Sequence, residues 1–408
     1  MDIGTSERIN PGILKWARET AGLSLAEAAE KLGLKDTAKA TAVEKLDKLE
    51  MGDGDPGQTF LRKAVAAYRR PLITFYLPAP PRRGERGEDF RSQAGTVSAR
   101  DNATLDALVR DVRARQQMLR EVLEESEDGA EQLPFVGSAR IADKSGNVAE
   151  AIRTLLGVTK DQQRRSRGST QLFALLRSAA ERAGIYILLL GDVGSYHSDI
   201  GEDVFRGFAL ADDLVPFIVI NDNDAEAARP FTLIHELAHI WIGASGVSGP
   251  LRDVPENIVE RFCNDTASEF LLPSDEIPDL SSLQTADLEA VNAAVARLAG
   301  VWNVSEPAVA YRFAQKGWIA RAVASSLFAM FADRWRREKE REKQNKKPDD
   351  TGPSFYTIRR HRLGAGLLAT VRRALQEETL TYTRAAKILG VGPASVPTLL
   401  REERLSER

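Results

Sequence analysis

The stretch "HELAH", residues 235–239, holds two of the chain's four histidines, four positions apart, with Glu236 beside the first. On a helix, positions i and i+4 share a face one turn apart, so His235 and His239 can direct their imidazoles at a single ion. Glu236 is placed to reach a water on that ion instead of the ion itself. This pattern serves metal-assisted hydrolysis: zinc lowers the pKa of its water and polarises the scissile carbonyl. The glutamate takes the water's proton and hands it to the leaving amine. A chance pairing of histidines is the competing account. Against it, half of a scarce residue type falls in the pattern, and the flanks "FTLI" and "IWIG" are apolar enough to bury the helix. Buried imidazoles need partners.

A catalytic zinc site needs a third protein ligand and one open position. Downstream, "PENIVERFCNDTASEFLLP" (255–273) reads as a helix offering Glu256, Glu260 and Glu269. Glu260 and Asn264 lie four apart on one face among Ile258, Val259, Phe262 and Ala267. A carboxylate on the inner side of a buried helix calls for a cation, and Asn264 can hold a ligand from behind, so Glu260 is favoured. Glu256 suits the helix N-terminus, while Glu269 sits against the closing "LLP". Two histidines and a carboxylate also suit non-haem iron, but the H-E-x-x-H helix favours Zn2+.

Several elements must position these residues. Asp222 and Asp224 supply turn chemistry ahead of the motif helix, and Pro230 sits at its start, where a missing N–H costs nothing. Before them come a helical run ending at Gly184 and three short strand-like runs, "IYILLL", "FRGFALA" and "PFIVIN". Residues 9–76 and 100–125 read as helical, with Ser24 as an N-cap, and the chain after the motif is largely helical. The expectation is an α+β, mostly helical protein, with the small sheet confined to its middle.

With 408 residues, 43% hydrophobic and 28% charged, the chain has room for two or three globular domains. A net charge of −3 gives no overall pull toward nucleic acid or membrane. One cysteine, Cys263, rules out an internal disulfide framework and suits a reducing compartment. "MDIGTSERIN" has no secretory pattern, and no apolar run approaches a membrane span, so a cytoplasmic protein with no membrane contact is expected.

"GFALADDLVPFIVIND" and "RPFTLIHELAHIWIG", followed by "ERFCNDTASEFLLP", resemble the ImmA/IrrE family of metallopeptidase-like proteins. The resemblance implies a zincin-like fold in which His235, His239 and Glu260 hold zinc and Glu236 is the general base. The sequence departs from that family at Cys263, where Ala is usual, and at Thr266, where Phe is usual. Cys263 is read as a small core residue in place of Ala, not as a ligand. Zincin substrates often add a strand along a sheet edge, and residues 206–211 are the candidate edge. His197, in "GSYHSD", is read as a loop residue, with transition-state donation as the lesser alternative.

"LKWARETAGLSLAEAAEKLG" (14–33) resembles the opening of a Cro/repressor-type (XRE) helix-turn-helix. Residues 50–78 and "DFR" (89–91) resemble the segments C-terminal to that motif in fusions to ImmA/IrrE domains. Between Gly33 and Glu50 the connection is longer than usual. Residues 1–70 carry 12 Lys/Arg against 11 Asp/Glu, short of the cationic excess that phosphate tracking requires. DNA binding and reuse of the bundle for dimerisation or protein docking both remain open. A second helix-turn-helix-like stretch, 382–400, lies in a region with 10 Lys/Arg against 5 Asp/Glu. There Pro397 should shorten the would-be recognition helix, so a packing subdomain is preferred.

The layout expected is a five-helix XRE-type domain at 1–80, a linker and connecting helix at 81–134 and a zincin-like domain at 135–333. A charged linker at 334–353 and a helical C-terminal subdomain at 354–408 complete it. The resemblance implies a zinc-dependent endopeptidase that cleaves a repressor or antitoxin-like partner in stress, prophage or toxin–antitoxin control, with a homodimer open. The alternatives are a DNA-binding transcriptional regulator, or a toxin component, whose zinc domain binds a partner without proteolysis.

Overall fold

The computed structural model describes residues 9–81, 98–126, 131–194, 198–249, 257–345 and 353–401. Over these the chain forms seventeen α-helices and one four-stranded sheet, an α+β arrangement dominated by helix. No helix among the described residues is long and apolar enough to cross a membrane. Two compact units, Met1–Arg110 and Asp111–Arg408, divide within helix α5 (Ala99–Glu124).

The first unit holds α1 (Pro11–Thr20), α2 (Leu25–Lys31), α3 (Ala42–Met51), α4 (Gln58–Tyr68) and a 3-10 turn, Leu72–Tyr76. Where five helices were expected, the described residues give four α-helices and this turn. The chain reverses at Arg69, which is left-handed, and Pro71 comes two residues later; neither continues a helix. Local chemistry fixes the helix starts. Asn10 caps α1, and Ser24 with Glu27 and Thr41 with Glu44 form reciprocal capping boxes at α2 and α3. Ile13, Leu14, Ala28, Leu32, Leu46, Leu61 and Phe75 close the core. Within it, Arg18 makes a two-pronged ion pair with Glu50 at 2.8 and 2.9 Å, tying α1 to α3. The long α2–α3 connection is held by its own polar groups: Asp36 accepts from the Ala42 N–H, and Lys45 donates to the Lys35 carbonyl.

In the second unit, β1 (Tyr186–Leu189), β2 (Gly207–Leu210), β3 (Phe217–Ile220) and β4 (Gly246–Ser248) are ordered β1-β3-β2-β4. β1 runs parallel to β3, whereas β2 is antiparallel to both β3 and β4. The strand expected at the edge, residues 206–211, is therefore interior, and β4 is the outer strand on that side. β4 escaped sequence reading because three residues beginning with glycine carry no strand periodicity. Side chains of the β1/β3 end organise the approach to β2. Asn221 donates to the carbonyls of Ile200 and Phe205, and Asn223 donates to that of Gly191.

Around the sheet lie α6 (Ser145–Leu156), α7 (Lys160–Arg165), α8 (Ser169–Arg182), α9 (Arg229–Trp241) and α10 (Ile258–Leu271). Then come α11 (Leu288–Trp302), α12 (Glu306–Gln315) and α13 (Arg321–Asn345), so the charged run from Arg334 to Asn345 is the end of a helix. Residues 346–352 lie outside the described part. The last helices are α14 (Phe355–Leu363), α15 (Ala365–Gln376), α16 (Tyr382–Leu389) and α17 (Val396–Leu400). Arg177 of α8 donates to the carbonyls of His361 and Ile187, and Glu181 accepts from the N–H groups of Ala365 and Gly366. These bonds fix the tail to α8 and β1. Arg359 and Arg360 are used to cap the carbonyls of Leu389, Gly390, Thr398 and Leu399. α17, with Pro397 in its first turn, spans only five residues.

Candidate metal centre

All thirteen residues of α9 are buried, its polar ones included. A helix enclosed all round lies in a core, so the polar groups on it must find partners there. They converge on α10. The Nε2 atoms of His235 and His239 are 3.2 Å apart, and Glu260 places Oε2 3.4 Å from the first and Oε1 3.2 Å from the second. Two ligand atoms each held about 2.0–2.1 Å from a tetrahedral ion stand about 3.3 Å apart, so these separations fit four-coordinate zinc.

The shell behind these atoms sets their orientation. His235 Nδ1–H donates to Asn264 Oδ1 at 2.8 Å, which leaves the Nε2 lone pair facing His239 and Glu260. His239 Nδ1 has no hydrogen-bond partner among the described residues. Asn257 caps α10 by accepting from the Val259 and Glu260 N–H groups, and so presents Glu260 in the first turn. Burial works against charge on His235, but Glu260 opposite outweighs it and raises the imidazole's pKa. Burial likewise opposes ionisation of Glu260, yet the two imidazoles hold its carboxyl well below the usual carboxylate range. The pair is arranged as an anion facing the place of a cation.

Glu236 is fully buried, and neither carboxylate oxygen has a hydrogen-bond partner among the described residues. Burial pushes its pKa up, against the pull of His235 and His239. It lies against β2: a Cβ built at Gly207 would stand 2.7 Å from Glu236 Oε1 and 2.8 Å from Thr232 Cγ2. Glycine at 207 is thus what lets the motif helix sit flush on the sheet. Sequence reading passed over Gly207, although a glycine inside a strand pattern signals close approach of another group. It also missed Ser248 of β4, a buried hydroxyl that, like the Glu236 carboxylate, has no hydrogen-bond partner among the described residues.

Glu269 is engaged elsewhere, accepting from the Ser274 N–H and hydroxyl and from Arg312. Glu256 and His197 lie outside the described residues. Cys263 belongs to the buried hydrophobic core, as expected, and its sulfur also lies within 4.8 Å of ligand atoms of His235 and His239.

A small mixed sheet, a buried H-E-x-x-H helix and a carboxylate from the next helix define a metallopeptidase-like domain. In agreement, residues 180–314 match the family model described as the IrrE N-terminal-like domain, Peptidase_M78. No curated protein and no solved structure matches the chain.

Proposed function

We propose that the chain is a zinc-dependent endopeptidase-like regulator, with its peptidase domain at 135–333, that cleaves a repressor or antitoxin-like protein. One observation carries this reading: His235, His239 and Glu260 meet at the edge lengths of a tetrahedral site, beside a buried carboxylate that makes no other bond among the described residues. Bound there, zinc would supply a Lewis acid that polarises a carbonyl and acidifies a water. His235 is held in the ligating tautomer by Asn264. Glu236 takes the water's proton on its carboxylate and returns it to the leaving amine, its basicity raised by burial. An extended substrate segment is taken up along the outer strand β4, through backbone hydrogen bonds.

For the N-terminal unit we infer a docking module more than a DNA reader. On α3, Lys45 and Lys48 stand against Glu44, Asp47 and Glu50, so the helix offers no cationic excess for phosphates. A shift of promoter DNA that weakens steeply with salt would reverse that preference.

The proteolytic reading is tested by comparing the protein fragment ends of host cells that express wild type or Glu236→Gln at matched levels, under resting and stress conditions. One protein lost, with a new fragment end in wild type alone, is the expected result. Matching fragment ends under all conditions would overturn it in favour of a partner-binding or DNA-binding role.

A further inference from the structure

We propose that Cys263 is a ligand held in reserve: its thiolate can occupy the fourth position of the metal centre, so that the site has a capped form closed to substrate. The inference rests on the zinc reading above. Glu260, Cys263 and Asn264 stand at positions i, i+3 and i+4 of α10, which places all three on one face. Glu260 meets both Nε2 atoms and Asn264 holds His235 Nδ1. Cys263, between them in sequence, has its sulfur within 4.8 Å of ligand atoms of both histidines, and all three residues are buried. A second feature of the same pocket points to a ligand: Glu236, fully buried, has both oxygens without a hydrogen-bond partner among the described residues.

Four-coordinate zinc with one thiolate needs sulfur about 3.5 Å from each nitrogen, given bonds of about 2.3 Å to sulfur and 2.0–2.1 Å to nitrogen. Because χ1 is the one torsion that moves a cysteine sulfur, the capped form requires a χ1 rotation that carries Sγ from its place within 4.8 Å of the histidine ligand atoms into that range. On capping, the thiol gives its proton to solvent and the sulfur donates a lone pair in place of water; nothing is oxidised or reduced. Two histidines, a glutamate and a cysteine then form a closed set, as in structural zinc sites, and Glu236 has no water to activate. Opening requires the sulfur to be displaced, which gives a resting enzyme that turns over only when the thiolate swings away.

Cobalt(II), loaded into the metal-stripped full chain, is the probe. Wild type should show visible ligand-field bands of tetrahedral cobalt together with a near-ultraviolet thiolate-to-cobalt charge-transfer band. Cys263→Ala and Cys263→Ser should keep the first and lose the second. Ligand-field bands without charge transfer in wild type would overturn the reserve ligand and leave the metal centre standing, whereas no cobalt bands in any form would overturn both. X-ray absorption of the zinc-loaded wild type needs no variant: a sulfur shell near about 2.3 Å supports the proposal, and a shell of nitrogen and oxygen alone at about 2.0–2.1 Å contradicts it.

Discussion

Glu236 of α9 and Gly207 of β2 are in contact so close that a single added carbon at 207 would stand 2.7 Å from the carboxylate. The same carbon would meet the Val219 carbonyl at 3.1 Å, and backbone cannot step aside as a side chain can. Gly207→Ala should therefore cost about 1–3 kcal/mol of stability, as overpacking does. It should also lower turnover by about a hundredfold by displacing the base, with bound zinc unchanged. Urea unfolding, metal content and cleavage rate measured on the same preparation check this; full activity in the variant would mean that Glu236 needs no such seat.

Asn264 acts on the metal only through His235, whose Nδ1–H it accepts. Asn264→Ala should weaken zinc binding by about 10- to 100-fold while leaving the helices in place. Competition with a chromophoric chelator measures this, with circular dichroism as the control. Unchanged affinity would show that packing alone orients the imidazole.

In the N-terminal unit, Glu50→Gln removes the buried counter-charge of the Arg18 guanidinium and leaves it only the exposed Glu19 carboxylate at 3.6 Å. Loss of one partner of a buried pair typically costs about 3–5 kcal/mol. Thermal unfolding should show a transition of the first unit moved well down in temperature. An unmoved transition would indicate that water already shares the pair.

Acid stability bears on Glu269. Burial favours its neutral form, but the Ser274 N–H and Arg312 outweigh that and hold its pKa below the ordinary 4.5. A carboxyl with a lowered folded value stabilises fully above its unfolded pKa, and that contribution is lost as pH falls through the folded value. The stability gap between wild type and Glu269→Gln should thus be largest near neutrality and shrink below about pH 4.5. A gap that stays constant into acid would assign the effect to shape, not charge.

Much of the centre was legible because helical spacing is a local property. His235 and His239, and separately Glu260 and Asn264, share a face whatever surrounds them, and Pro230 and Ser24 announce helix starts by their own chemistry. The parts that were not legible depend on partners distant in sequence. Gly207 matters only because α9 lies on it, and β2 is interior only because Gly246–Ser248 folds back beside it. The basic residues of the tail suggested a charged surface, yet Arg359 and Arg360 are used to satisfy helix-end carbonyls, a role that composition cannot reveal. Cys263 is core, as the sequence indicated, but its nearness to His235 and His239 depends on how α10 packs on α9 and could not be read there.

The most direct measurement of the centre is zinc per chain in purified full-length protein, wild type against single variants. One equivalent is expected in wild type, in Glu236→Gln and in Glu269→Gln, with loss in His235→Ala and His239→Ala and marked weakening in Glu260→Gln. Zinc retained without His239, or lost with Glu236→Gln alone, would contradict the assignment of two histidines and Glu260 as ligands and Glu236 as base.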